Sequence, residues 1–136
     1  MEETRAIGAR FAGASRPGCL YVLEGELGAG KTEFVRGFVA ALNPDAAVRS
    51  PSFSLCNIYE TGSFTVYHFD FYRLADATEL GEIGFDEYAT DDGVCLVEWG
   101  TLFPEVLPPH AQVIRFTDLG GGDRDIEWSG ALPPGT

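Results

Sequence analysis

The sequence predicts an α/β domain into which a β-hairpin is inserted. Three observations support this. Short apolar, β-rich runs alternate with segments of helical periodicity. Two alternating strands flank a Thr-Gly-Ser turn, and no internal repeat or linker divides the 136 residues. That length suits one core rather than two, and a single domain over residues 1–130 with a frayed tail at 131–136 is expected.

Residues 2–15 carry Ile7, Phe11 and Ala14 at spacings near one helical turn, and Pro17-Gly18 then breaks the chain. CLYVLEG, residues 19–25, is a short apolar run of the kind buried on both faces of a sheet. Residues 31–42 place Phe34, Val35, Phe38, Val39 and Leu42 on one helical face, and Asn43-Pro44-Asp45 ends that helix. SFSLCNIYE and FTVYHFD, joined by Thr61-Gly62-Ser63, form the hairpin. Residues 75–91 are acidic and helix-compatible, divided by Gly81 and Gly84. VCLVEWG is a second buried-strand pattern, and Pro104, Pro108 and Pro109 make the next connection irregular. AQVIRFTD and DIEWSG close the domain as a strand pair around Gly120-Gly121-Gly122.

Composition removes several function classes. The chain is 45% hydrophobic and 22% charged, as in an ordinary globular protein. No apolar run approaches the roughly 20 residues of a membrane span, and no secretory signal is visible, so a cytoplasmic location is expected. Nine basic against 21 acidic residues give a net charge of −12. Such a surface repels phosphate backbones, so no strong direct nucleic-acid binding is expected. Cys19, Cys56 and Cys95 form no CxxC pair and read as reduced core residues.

One motif stands out against that acidity. Gly25-Glu26-Leu27-Gly28-Ala29-Gly30-Lys31-Thr32 fits G-x-x-x-x-G-K-[ST], with a buried strand before it and an amphipathic helix after it. Glycines let backbone N–H groups turn inward around an anion, and the helix N-terminus adds unpaired donors and a positive dipole end. Lys31 supplies a mobile charge for the β- and γ-phosphates, expected to be needed only when phosphates are present. Thr32 offers a hydroxyl to Mg²⁺. Candidate nucleotide contacts therefore run through Glu26, Leu27, Gly28, Ala29, Gly30, Lys31, Thr32 and Glu33.

A nucleoside-triphosphate site also needs an acid near the metal, at the C-terminal end of a neighbouring buried strand. Glu98 ends VCLVE and Asp70 ends FTVYHFD. Spacing does not divide their roles: either could hold Mg²⁺ while the other positions water. Arg49, Arg73 and Arg124 are available as further phosphate ligands. His68 reads as a hydrogen-bonded structural histidine, since no second His or Cys has ligand spacing. Trp99 lies at the site's edge or in the core.

GELGAGKT, RSPSFSLCNIYE, YHFDFYRL and CLVEWG occur in that order at compact spacing. Together they resemble the TsaE family (formerly YjeE), small bacterial P-loop ATPases required for threonylcarbamoyladenosine formation on tRNA. The likeness runs from about Thr4 to Gly130. It implies a P-loop NTPase-like three-layer fold with a mainly parallel central sheet, and ATP and Mg²⁺ as cofactors. By the same resemblance, Gly28 to Thr32 wrap the phosphates, Thr32 and Glu98 lie near Mg²⁺, and Asp70 is the family's important acid. Trp99 follows the metal acid, and Thr4 (with Gly8 four residues on) and Arg124 flank the nucleotide. Ser50 to Phe53 occupy a switch-like region. Lys31, Asp70 and Glu98 are thus the candidate catalytic residues.

Three positions depart from the family pattern. Glu33 replaces a second threonine, Ser52 replaces the threonine of SPTF, and Gly100 replaces the proline of EWP. A carboxylate at Glu33 opposes bound phosphates if it faces them. The resemblance also implies protein partners resembling TsaD and TsaB. Those subunits make the modification from threonylcarbamoyl-adenylate supplied by a separate synthase. Two rival readings remain open: a small-molecule kinase with Asp70 as base, and a nucleotide-gated assembly module with negligible turnover. The short, acidic 75–91 segment disfavours the kinase, which needs an arginine-bearing lid.

Overall fold

The computed structural model describes residues 2–25, 30–45, 56–62, 64–70, 93–99, 111–120 and 123–128. Two helices and six strands are formed there: α1 (Glu2–Ala14), β1 (Leu20–Glu24), α2 (Lys31–Leu42), β2 (Cys56–Tyr59), β3 (Val66–Asp70), β4 (Val94–Glu98), β5 (Gln112–Gly120) and β6 (Asp123–Trp128). The strands make one sheet in the order β2-β3-β4-β1-β5-β6. β3, β4, β1 and β5 are mutually parallel, and only the edge strands β2 and β6 run antiparallel. The predicted hairpin is β2–β3. Its second arm is also a strand of the parallel core, so the insertion widens the sheet rather than standing apart from it. The segments at 52–55, 75–91 and 131–136, and the three prolines at 104, 108 and 109, lie outside the described residues.

α1 ends where Pro17 disfavours helical backbone at the residue before it. The Ser15 hydroxyl donates to the Phe11 carbonyl at 2.5 Å and lies 2.7 Å from the Tyr21 hydroxyl, tying the helix end to the start of β1. α2 ends at Asn43, whose N–H donates to the Val39 carbonyl at 2.7 Å while its side-chain amide donates to the Glu60 carbonyl at 3.0 Å. The hairpin turn is fastened by Thr61, whose hydroxyl accepts from the Phe64 N–H at 3.0 Å and donates to the Phe64 carbonyl. The closing pair is longer than expected. β5 runs on to Gly120 and β6 begins at Asp123, with a register shift between Asp118 and Gly120.

Strand alternation divides the core. Tyr21, Leu23, Val66, Val94, Leu96, Ile114 and Phe116 face the two helices and pack with Phe11, Phe34, Val35, Phe38 and Val39. Aromatic rings meet edge-on through this layer: Phe34 lies 5.6 Å from Phe11 and 5.5 Å from Phe116, centroid to centroid. Leu20, Val22, Phe69, Cys95 and Val97, pointing to the other face, are also buried, as a sheet covered on both sides requires. Cys95 is thus buried and Cys19 half-buried, neither of them in a disulfide.

α1 leads into the start of β1 and α2 leaves its end, and the two helices pack against each other. They meet backbone to backbone. A Cβ at Gly8 would overlap the Phe34 carbonyl, and one at Gly37 would overlap the Arg5 carbonyl. At the same junction Glu33 accepts from the Arg5 guanidinium across the helices and from Arg36 Nη1 at 2.6 Å along its own. The bond from Arg5, helped by Arg36, holds the Glu33 carboxyl below the usual glutamate range.

Substitutions at Gly37 and Gly13 test the close approach, and one at Glu33 tests the ion pair. Gly37→Ala should destabilise the protein by about 2–3 kcal/mol, because backbone must separate to admit the methyl group. Gly13→Ala, where nothing stands within 4 Å, should gain up to about 1 kcal/mol from helix propensity. Chemical denaturation checks both, and equal effects would refute the close approach. Glu33→Gln should cost roughly 0.5–1 kcal/mol at neutral pH, a small figure because both arginines are half-exposed and water-screened. A depressed carboxyl contributes stability above its unfolded pKa and loses it as pH falls through the folded one. The parent's advantage over Glu33→Gln should therefore vanish in strong acid, and a difference independent of pH would exclude the ion pair.

Candidate functional site

The strand register brings the predicted acids together. Asp70 and Glu98 are direct neighbours at the C-terminal ends of β3 and β4, and Leu23 of β1 pairs with Glu98 from the other side. Three parallel strands therefore end at one level. The glycine-punctuated loop leaves the sheet at that level, where β1 gives way to α2. This is the crevice in which open α/β sheets hold ligands.

Both ends of the loop are described. Gly25 has φ 151° and Gly30, the N-cap of α2, has φ 103° and ψ 6°. Each lies in backbone space that a side chain resists, so both need glycine. No side chain caps α2 at Gly30, which leaves the helix's first N–H groups aimed at the loop. Glu26, Leu27, Gly28 and Ala29 lie outside the described residues.

Lys31 opens α2 and is only 4% exposed. Its Nζ donates to the Gly25 carbonyl at 2.6 Å, lies 3.8 Å from Glu98 Oε1, and sits 4.3 Å above the centre of the Trp99 ring. The expectation that this charge is used only when phosphates are present is thus corrected. The ammonium is shared within the protein among a carbonyl, a carboxylate and an aromatic face. Burial pushes its pKa below the usual lysine range, opposed by the charges of Glu98 and Asp70.

Glu98 is 6% exposed. Its second oxygen, Oε2, is 2.6 Å from His68 Nε2. A carboxylate only accepts, so the imidazole Nε2–H donates. His68 is therefore a hydrogen-bonded structural histidine, as expected, but its partner is the predicted metal acid. The available signal was the spacing: His68 and Asp70, two apart on one strand, share a face. Trp99 follows with φ 61°, the one described non-glycine residue at positive φ. That conformation costs on the order of 1–2 kcal/mol and turns the ring onto Lys31.

Thr32 is half-buried in the first turn of α2. Thr4 is buried in the first turn of α1, on the loop's side of the sheet, beside Arg5. The Glu33 carboxylate is engaged by Arg5 and Arg36. Arg124 takes its place in β6 opposite Asp118, beyond the end of β1. Arg49, Arg73, Gly100 and Ser50 to Phe53 lie outside the described residues.

The donor set fits Mg²⁺. Among the described residues no group of three His, Cys, Asp or Glu side chains forms a metal cage. Mg²⁺ does not need one: it takes one or two carboxylates, a hydroxyl, waters and substrate phosphates. Thr32, Glu98 and Asp70 would be the hard oxygen donors of such a set, the two carboxylates coming from adjacent strand ends. No helix among the described residues is long and apolar enough to cross a membrane.

Comparison with known proteins gives a consistent result. The family described as "Threonylcarbamoyl adenosine biosynthesis protein TsaE" matches residues 1–126. The tRNA threonylcarbamoyladenosine biosynthesis protein TsaE of Bacillus subtilis is 41% identical over 128 residues, 94% of this chain and 80% of that protein. Its counterpart in Treponema pallidum is 39% identical over 109 residues, 80% of each chain. The crystal structure of Bacillus subtilis YdiB superposes with a TM-score of 0.75 at 38% identity, covering 92% of this chain and 76% of that one. A mostly parallel six-stranded sheet with a glycine-bounded loop at its switch point is the P-loop-like architecture that this likeness describes. The chain belongs to the TsaE family.

Proposed function

We propose that the chain is the ATP-binding and ATP-hydrolysing subunit of bacterial tRNA threonylcarbamoyladenosine formation, acting with partners resembling TsaD and TsaB in the cytoplasm. The pathway rests on the family and its relatives' names. One observation carries the chemistry: Lys31, Glu98 and Asp70 converge at the ends of three parallel strands, beside a helix N-terminus that no side chain caps.

Each group has a task in ATP hydrolysis. The loop amides and the α2 N-terminus receive the phosphates. Lys31 exchanges its contacts with Gly25 and Glu98 for the β- and γ-phosphate oxygens. Glu98 and the Thr32 hydroxyl are the residues that would hold Mg²⁺. When bound, Mg²⁺ neutralises charge developing on those phosphate oxygens. Asp70, one strand away, orients the attacking water and accepts its proton. Trp99, already against Lys31, covers the site's edge and limits water there. Threonylcarbamoyl transfer itself belongs to the partners, which an acidic chain of net charge −12 meets through protein surfaces rather than by gripping tRNA.

The direct test is ATP hydrolysis measured for the chain alone and then with the two partner proteins. Stimulation supports the subunit role, and phosphate transfer to an added acceptor instead of water would show a kinase. Lys31→Ala should abolish ATP binding in calorimetric titration. It should also lower stability modestly, since among the described residues Glu98 then keeps only its bond to His68. A folded variant with parental affinity would sink the phosphate site. Asp70→Asn should cut turnover by on the order of 10²-fold or more while leaving ATP affinity nearly unchanged. A loss confined to affinity would make Asp70 a ground-state contact.

A further inference from the structure

We infer that His68 is a positioning residue that sets the Glu98 carboxylate in the orientation needed to receive the metal. The inference rests on the nucleotide reading above and assigns a task to a residue which that reading leaves idle.

His68 stands at a core position. On β3, Val66 and His68 share the helix-facing side of the sheet, and in β4 their neighbours on that side are Val94 and Leu96. An apolar side chain would satisfy such a place, and a fully buried imidazole costs free energy unless its polar atoms are matched. His68 is 0% exposed. Its Nδ1 has no hydrogen-bond partner among the described residues, so the matched atom is Nε2, at 2.6 Å from Glu98 Oε2. Packing alone therefore does not explain a histidine here.

The geometry at Glu98 shows what the bond does. The parallel register sets Glu98 directly beside Asp70 and diagonally beside His68. The carboxylate leans back to the imidazole, away from a like charge. With Oε2 held there, Oε1 stays 3.8 Å from Lys31 Nζ, longer than the roughly 2.7–2.9 Å of a full charge-assisted hydrogen bond. His68 thus restrains Glu98 from closing onto Lys31. That keeps one carboxylate oxygen available to a cation and the ammonium available to phosphates. Partners of this kind, one shell behind a metal ligand, typically change metal affinity by about 10–100-fold when lost.

The experiment measures ATP affinity by calorimetric titration with and without Mg²⁺ for the parent, His68→Phe and His68→Gln. Gln places an amide donor as many bonds from Cα as the imidazole Nε2, whereas Phe keeps only the shape. The factor by which Mg²⁺ tightens ATP binding should fall roughly tenfold or more in His68→Phe, toward the value for Glu98→Gln, and be largely restored in His68→Gln. Should His68→Phe fold poorly, His68→Met, apolar and without a donor, is read the same way. A donor-free variant that keeps the parental Mg²⁺ factor overturns the inference. So does a His68→Gln variant as impaired as the apolar one, because shape alone would then matter. A parent that binds no ATP overturns the proposed function instead, and one that binds ATP equally well without Mg²⁺ removes Glu98 from the metal and the inference with it.

Discussion

A lysine and a glutamate, both almost wholly buried and 3.8 Å apart, set the conditions for the whole C-terminal rim of the sheet. An unpaired buried ion costs several kcal/mol, and a pair recovers that only with additional bonds to its remaining atoms. Those bonds come from separate parts of the fold: the Gly25 carbonyl at the end of β1, His68 in β3, and the Trp99 ring after β4. They can meet only because β1, β3 and β4 are parallel and stop at one level. The pair is therefore a demand on topology as much as a local contact.

The apolar core answers that demand. Side chains alternate along a strand, so a slip of one residue between β3 and β4 would send Asp70 and Glu98 to opposite faces. It would also carry Val66 or the Val94–Leu96 pair out of the layer they share with Phe34 and Phe38. Dry packing thus holds the polar register. The antiparallel strands β2 and β6 flank the parallel strands, and the site's acids sit on the interior strands β3 and β4.

Much of this was legible in the sequence because it follows from period and punctuation. The two buried strands, the amphipathic P-loop helix and the Thr61 turn each carry local signals, and all appear where the pattern puts them. Glu98 and Asp70 were visible as acids ending apolar runs. Their pairing was not, since register depends on the facing strand. His68 was visible as a buried histidine, but its partner lies 30 residues away and no local rule names it. Glu33 shows the same limit: its helix position was plain, yet whether it faced phosphate or arginine depended on where α1 packed. Nor does any pattern show that Lys31 donates to the Gly25 carbonyl.

Under the proposed function, the α1–α2 junction lets such a site be ready before a nucleotide arrives. Gly25 is fixed by β1, a strand bonded on both sides. Gly30 is fixed by α2, which cannot slide because its backbone lies against α1 at Gly8 and Gly37 and is clamped by Glu33 between two arginines. With both ends of the loop anchored, binding spends little on bringing distant backbone segments together, and ordering cost is what erodes affinity. What has to change is side-chain contact: in the proposed reaction Lys31 leaves a carbonyl and a carboxylate for phosphates, and Glu98 trades an ammonium for a metal ion. Each charge exchanges one opposite partner for another. The replacement at Glu33 fits this scheme, because a carboxylate turned to Arg5 stabilises the scaffold without setting its charge against the phosphates.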